Sequence, residues 1–267
     1  MESLKDKVVI ITGASSGIGE GTAVMFAQYG SRVVLSGRSS ENLERVAGRC
    51  REVGLTDHQI LVLQGDLAND DVRKKLIDET IKKYGQLDVL VNNAGVCHLV
   101  DTTKTTPEYY DDMMNTNTRA PFFLTQYAIP YLKQSKGNII NVSSQFSEMA
   151  VPQMYGVYCM TKAAMDMFTK CLSLELGPFG IRVNSVNPGS VASNLEKRGP
   201  TALSEETYNY FLSLEKQRHP IGRVGTAEDI AWGIVFLACD RSSFISGERM
   251  FIDGASHWVT GSVQNPE

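Results

Sequence analysis

Short runs rich in Val, Ile and Leu recur along the 267-residue chain, each ending at a glycine or polar cluster and most followed by a stretch of helical spacing. They occupy residues 7–12, 32–36, 60–64, 87–92, 138–143, 182–187 and 249–252. A run that is apolar at nearly every position, instead of every second one, predicts a strand covered on both faces, as parallel sheets are. The pattern therefore predicts an α/β fold, a doubly wound parallel sheet of seven strands with helices on both sides. No Pro/Ser/Gly linker, composition break or repeat divides the chain, so residues 1–267 are expected to form one domain. Thr226, with Glu228 and Asp229 in the first turn, marks a helix start continuing through Ala238. Residues 108–133 read as a helix except for Pro121, which has no N–H for the carbonyl of Asn117. A carbonyl freed in this way takes up water or bends the axis, and a water held there could relay protons. The segment at about 190–220 is polar and then carries Tyr208, Tyr210, Phe211 and Leu214; it interrupts the alternation and predicts a lid over a site.

Charge and composition narrow the function. A net charge of −4 and a pI near 5.7 argue against nucleic acid as a partner. The five cysteines have no metal-type spacing and an odd count, which fits a reducing compartment. The four histidines are scattered, so no metal site is expected, although His98 could line a substrate pocket. No apolar stretch reaches the ~20 residues of a spanning helix. The first residues do not read as a signal peptide, nor residues 263–267 as a retention or lipid motif, so the expected location is cytoplasmic, without membrane attachment.

The candidate chemistry gathers where strands end. Gly13, Gly17 and Gly19 follow the first strand in a G-x-x-x-G-x-G turn, which brings backbone close to a pyrophosphate on the next helix N-terminus. Gly65-Asp66-Leu67 and Asn92-Asn93-Ala94-Gly95 close the third and fourth strands, on the edge where open α/β sheets bind ligands. Tyr158 and Lys162 lie one helical turn apart. A phenol of pKa ~10 is a poor base near neutrality, but a neighbouring ammonium and a cationic nicotinamide both favour the phenolate. Y-x-x-x-K alone occurs by chance on many helices; Ser144, just past the fifth strand, supplies the hydroxyl that gives the pair a partner, with Ser143 as the alternative. Gln145, Phe146, Met154 and Tyr155 join Ser144 and Tyr158 as candidate substrate contacts, with Met149, Val151, Leu195, Tyr208 and Phe211 as further apolar walls. The second strand ends in Gly37-Arg38-Ser39-Ser40 with no carboxylate before Glu41, which favours a 2′-phosphate and hence NADP(H). A lone arginine can also stack on adenine, so NAD stays open.

Taken together, Thr12-Gly13 with Gly17-Ile18-Gly19, Asp66-Leu67, Asn92-Asn93-Ala94-Gly95, Asn117, Ser144, Tyr158-x-x-x-Lys162 and Asn187-Pro188-Gly189 resemble the short-chain dehydrogenase/reductase family over nearly the whole chain. The resemblance implies a Rossmann-like domain in which Tyr158 is the acid/base, Ser144 orients a carbonyl, Lys162 holds the nicotinamide ribose and Asn117 anchors a water relay. It implies a dinucleotide lying against Gly13, Ser15, Ser16, Gly17, Ile18 and Gly19. Asp66 would meet the adenine, Asn93 the backbone around the adenosine ribose and Val191 the carboxamide, with Arg38, Ser39, Leu67, Ala94, Gly95, Pro188, Gly189 and Ser193 also binding the cofactor. It also implies a homotetramer or homodimer through the apolar helix at 163–176. Three departures stand out: Ala255 where a glycine is usual, Ser193 where a threonine is, and a Ser144-to-Tyr158 gap one residue longer. The implied activity is hydride transfer between NADP(H) and a partly apolar carbonyl/alcohol substrate. A 3-oxoacyl-thioester reductase, a steroid or sugar alcohol dehydrogenase, and a nucleotide sensor without catalysis remain as alternatives.

Overall fold

In the computed structural model, which describes residues 1–150, 154–193, 195–197 and 199–259, all seven expected runs are strands. The first half contains Val8–Thr12 (β1), Gly17–Gln28 (α1), Arg32–Gly37 (β2), Ser40–Glu52 (α2), Ile60–Gln64 (β3), Asp70–Tyr84 (α3) and Val89–Asn92 (β4). Pro107–Met114 (α4), Ala120–Ser135 (α5), Asn138–Val142 (β5) and Gly156–Leu176 (α6) follow. Arg182–Pro188 (β6), Glu205–Arg218 (α7), Ala227–Ala238 (α8) and Arg249–Ile252 (β7) complete the described elements. The strands form one sheet in the order β3-β2-β1-β4-β5-β6-β7, and every pairing is parallel. The order reverses between β1 and β4, which leaves a crevice beyond their carboxyl ends.

Alternation along β1 divides the core. Val9 and Ile11 pack with Phe26 of α1, Val46 of α2 and Ile234 of α8, whereas Val8 and Ile10 pack with Leu76 of α3, Leu124 of α5 and Leu172 of α6. Both faces are dry, with each of these strand residues fully buried; burying one such side chain stabilises the fold by roughly 1.5–3 kcal/mol. The helix start at Thr226 is a capping box: its hydroxyl accepts from the Asp229 N–H, and the Asp229 carboxylate accepts from the Thr226 N–H.

Two findings refine the sequence reading. Residues 108–133 are not one helix interrupted at Pro121; α4 and α5 are joined by a π-helical turn, Asn115–Arg119. The Ala120 N–H bonds the Asn115 carbonyl five residues back. Pro121 has no N–H and its ring crowds the carbonyl four residues earlier, so the helix widens by one residue and continues. The segment at 190–220 contains one helix, α7, and a bridge from Val191 to Gly225. Its end is fastened to the β6 terminus: the Ser190 N–H donates to His219 Nε2 (3.2 Å), the Ser190 hydroxyl to Glu215 Oε2 (2.5 Å), and His219 Nδ1 lies 2.6 Å from the Glu215 carbonyl.

Ala255, one of the three departures, follows β7 with φ of 68°. Its side chain is strained in that left-handed region by about 1–2 kcal/mol, while glycine loses about 0.5–1 kcal/mol more chain entropy on folding. Ala255→Gly is therefore expected to stabilise the protein by about 0.5–1 kcal/mol. The denaturant midpoint should rise at unchanged m-value, and a fall would contradict the strain.

Candidate active site

The end of β5 is joined to α6 by reciprocal hydrogen bonds. Lys162 Nζ donates to the Val142 carbonyl (2.8 Å), and the Ser143 hydroxyl donates to the Lys162 carbonyl (3.1 Å). Ser143 is thereby engaged by the helix backbone, and it is the Ser144 hydroxyl that faces the Tyr158 phenol and stabilises its ionised form. Ser144 also accepts from the Phe146 N–H (3.1 Å), while its carbonyl is held by Asn187 Nδ2 (3.1 Å). Lys162 Nζ lies 5.5 Å from the Tyr158 ring centroid, and both residues are buried.

Asn117, in the π-helical turn, works through its side chain. Its Oδ1 accepts from the Val96 N–H (2.8 Å), and its Nδ2 donates to the Val96 carbonyl (2.8 Å) and to Thr161 Oγ1 (3.1 Å). Thr161 donates in turn to the Tyr158 carbonyl (2.8 Å), so Asn117 ties the loop after β4 to the helix that carries Tyr158. The sequence argument concerned only the Asn117 carbonyl; an amide facing two elements is invisible until the helices pack.

Burial, not Lys162, dominates the Tyr158 phenol. It pushes the group well above its usual range, with Cys97 and Glu196 adding to the rise and Ser144 opposing it. Burial outweighs the ammonium that was expected to favour the phenolate, so the chain by itself holds Tyr158 as a neutral proton donor. The same burial lowers Lys162 to about 8, against the attraction of Asp166.

A cavity of about 390 Å³ runs from this group along the β1/β4 crevice. Its glycine wall comes from Gly13, Ser15, Ser16, Gly17 and Ile18, with Asn93, Ala94 and Gly95 opposite. Arg38, Ser39, Asp66 and Leu67 line the β2/β3 end. Pro188, Gly189, Val191 and Ser193 line the side nearest β6. Gly13 (φ 64°) and Gly17 (φ 55°) take the left-handed conformation that the turn requires. Gly19 is not a lining residue. A Cβ there would lie 2.3 Å from the Gly13 carbonyl oxygen and 2.5 Å from Asn93 Nδ2, so it packs behind the turn instead of facing a pyrophosphate. Asn93 donates to the Thr12 carbonyl (2.7 Å), and the Thr12 hydroxyl accepts from the N–H groups of Asn93 and Ala94, which fastens β1 to the loop after β4.

Among the substrate candidates, Gln145, Phe146 and Tyr155 line the cavity, as do Leu195 and Phe211. Met154 does not: with φ of 59° it turns outward, 40 % exposed, and its carbonyl accepts from Val100. Met149 is also outside the lining. Tyr208 spends its hydroxyl on the Ser193 backbone, and His98 pairs with Asp112 (2.7 Å), away from the cavity. Val151 lies outside the described residues. Sequence reasoning missed Asn42, Cys97, Thr116 and Glu196, all of which line the cavity. Asn42 had a signal, since it sits three residues after Ser39 and both its N–H groups reach that cap hydroxyl. Glu196 had none. Among the described residues no helix is long and apolar enough to cross a membrane, and no His/Cys/Asp/Glu group could hold a metal.

Residues 13–257 match the family model described as Enoyl-(Acyl carrier protein) reductase. A 3-oxoacyl-[acyl-carrier-protein] reductase of Thermotoga maritima is 35 % identical over 253 residues, covering 94 % of this chain and 98 % of that protein. The chain belongs to the short-chain dehydrogenase/reductase family. A cofactor-bound family member of unknown function from Caenorhabditis elegans superposes with a TM-score of 0.91 at 35 % identity, covering 97 % of this chain and 98 % of the other. A 3-ketoacyl-(acyl-carrier-protein) reductase from Brucella melitensis, solved with NADH, gives 0.84 at 31 %, covering 96 % and 100 %. As a short-chain dehydrogenase/reductase, this chain is an oxidoreductase of alcohol and carbonyl groups that uses a nicotinamide dinucleotide. Its own residues fit that group: the left-handed glycines bring bare backbone to the cavity, and a Cβ at Gly37 would already crowd Ser15 at 3.3 Å.

Tyr158→Phe is expected to cut turnover by at least about 100-fold while nucleotide binding persists, because the ring still packs but has no proton to exchange. Retention of most of kcat, with binding measured by nucleotide fluorescence, would remove Tyr158 from the chemistry. Lys162 generates a pH prediction. Folding lowers it from 10.5 to about 8, so between those values the unfolded chain keeps a proton that the folded chain releases. Its contribution to stability therefore rises with pH across that window. Urea unfolding at about pH 7.5 and about pH 9.5 should show the wild type gaining on Lys162→Met at the higher pH. An equal difference at both values would contradict the buried, depressed lysine.

Proposed function

We propose that the protein transfers a hydride between NADP(H) and a partly apolar carbonyl/alcohol substrate, with Tyr158 as acid/base. The observation that carries this reading is the convergence of the Ser144 hydroxyl, the Tyr158 phenol and the Lys162 ammonium at one end of the cavity. Gly13, Gly17 and their neighbours would hold the dinucleotide's pyrophosphate, and the cofactor would supply or accept the hydride. The chain does the rest. Ser144 donates to the substrate oxygen and fixes the face presented to the hydride. In reduction Tyr158 passes its phenolic proton to that oxygen as the carbonyl becomes an alkoxide, and in oxidation it takes the proton back. Lys162 holds the nicotinamide ribose and, while protonated, stabilises the phenolate left by the transfer. Asn117 anchors the relay that restores the Tyr158 proton. Burial keeps Tyr158 neutral, and its release of a proton would be favoured beside an oxidised, positively charged cofactor.

The apolar lining from Phe146, Tyr155, Leu195 and Phe211 supports a substrate with an apolar body. Residues 190–220, fastened at Ser190 and Glu215, act as its lid. Copies of the chain assemble into a dimer or tetramer through α6, a reading supported by Met160, Met167 and Leu174, exposed by 53 %, 57 % and 81 %. The expected location is the cytoplasm. An acyl-thioester substrate is the second reading, favoured by the sequence likeness to the Thermotoga reductase.

The choice of NADP(H) rests on Arg38. It lines the cavity and is exposed, and it forms no ion pair among the described residues. Arg45, the other arginine near the turn, is held by Glu20 at 2.6 and 2.7 Å. Loss of one charge-assisted contact in Arg38→Ala should weaken NADPH by about 1.5–3 kcal/mol, roughly a ten- to hundredfold rise in Kd, and leave NADH nearly unchanged. Equal losses for both nucleotides would assign Arg38 to the adenine instead. A wild type that binds nucleotide but turns over no member of a panel of ketones and alcohols with either cofactor would favour the sensor.

A further inference from the structure

Two carboxylates line the cavity. Asp66 sits at the β2/β3 end, and Glu196 is contributed by the lid. Glu196 shares the cavity lining with Tyr158, Tyr155 and Cys97, and its charge adds to the upward shift of all three. The residue as a whole is half-buried, yet its Oε2 is shut off from solvent and has no hydrogen-bond partner among the described residues. A buried acceptor left unpaired is costly, and such groups in native proteins have a reason. Three hydrogen bonds involve described residues beside it. The Glu196 carbonyl accepts from the Leu203 N–H (2.8 Å), Ser193 Oγ from the Leu195 N–H (3.2 Å), and the Tyr208 hydroxyl donates to the Ser193 carbonyl (2.7 Å). Lys197, the neighbouring cation, is turned to Glu205 (3.2 Å) and to the Tyr208 ring instead.

We propose that Glu196 is a specificity-determining residue, which accepts a hydrogen bond from a second hydroxyl of the substrate close to the reacting carbon. The preferred substrate is then a hydroxylated ketone or a diol with an otherwise apolar body, bound as the lid shifts enough to admit the donor to Oε2. A hydroxyl suits the position better than an ammonium. Burial raises the Glu196 carboxyl above its usual range, favouring the neutral form, and the walls around it are Leu195, Phe211, Phe146 and Tyr155, none of which balances a cation. A site that hydrogen-bonds a substrate hydroxyl discriminates strongly against the analogue lacking it, because the buried group then goes unpaired.

This inference rests on the oxidoreductase reading above, and one experiment separates the two. The probes are cyclohexane-1,2-diol and cyclohexanol, oxidised with NADP⁺ or NAD⁺ by the wild type, Glu196→Leu and Glu196→Gln. The wild type is expected to favour the diol in kcat/KM by about tenfold or more. Glu196→Leu brings the ratio toward one, because the diol loses more kcat/KM than cyclohexanol does. Glu196→Gln, nearly isosteric and still an acceptor, keeps most of the preference. Nucleotide Kd, unchanged in both variants, reports that they fold. The same diol-to-alcohol ratio in wild type and Glu196→Leu overturns the role of Glu196 and leaves the oxidoreductase reading intact. A wild type that turns over neither probe with either nucleotide overturns both.

Discussion

Lys162 is a buried ammonium that the fold must satisfy, and much of the catalytic geometry follows from how it does so. Its Nζ reaches the carbonyl of Val142, the last residue of β5, while the Ser143 hydroxyl returns to the Lys162 carbonyl. An ammonium taken out of water without such a partner would simply lose its proton. The two bonds fix the height of α6 against the strand end, and that height decides that Ser144, not Ser143, meets Tyr158. A shift of α6 by one residue would turn Tyr158 about 100° away from the serine.

Polar side chains reinforce the same register from inside the sheet. Asn92 donates to Asn141 (2.9 Å) and to Thr125 (3.1 Å), and Asn141 donates to Thr169 of α6 (2.9 Å). Asn187 donates to Asp166, Ser147 and the Ser144 carbonyl. Asparagine is a poor strand residue by propensity. Here Asn141 and Asn187 link strands to the helix that carries the chemistry, Asn92 ties Asn141 to β4 and α5, and apolar residues of similar size could not transmit that alignment. Stability comes from the Val/Ile/Leu layers; specificity of placement comes from these few amides.

The strands were legible because a doubly covered sheet demands apolar residues on both faces, a demand that leaves its mark at nearly every position of β1, β4 and β5. Their ends differ by one or two residues, as at Val89, where pairing and not composition decides. Thr226 and Asp229 were legible because a capping box is local. What depends on tertiary packing was not: the π-helical turn at Asn115–Arg119, the side-chain bonds of Asn117 and the outward turn of Met154 all require knowing what lies opposite. Gly19 was assigned the wrong reason for the same cause, since its neighbours Gly13 and Asn93 are adjacent only in the folded chain. Glu196 lies in a lid whose polar composition resembles any surface loop, and nothing local distinguishes a carboxylate facing a cavity from one facing water.

The bond between Ser256 and Gln145 has a consequence in time as well as in space. Gln145 is a wall of the cavity, and the acceptor of its side chain is held by a hydroxyl located just past the final strand. Asp253 holds that same turn, accepting from the backbone N–H of His257 (2.8 Å). During synthesis the glycine turn, β5 and α6 all emerge well before β7, at about 5–20 residues per second. The substrate wall therefore waits for β7 and the turn after it, and residues made late close a pocket whose chemistry was laid down early.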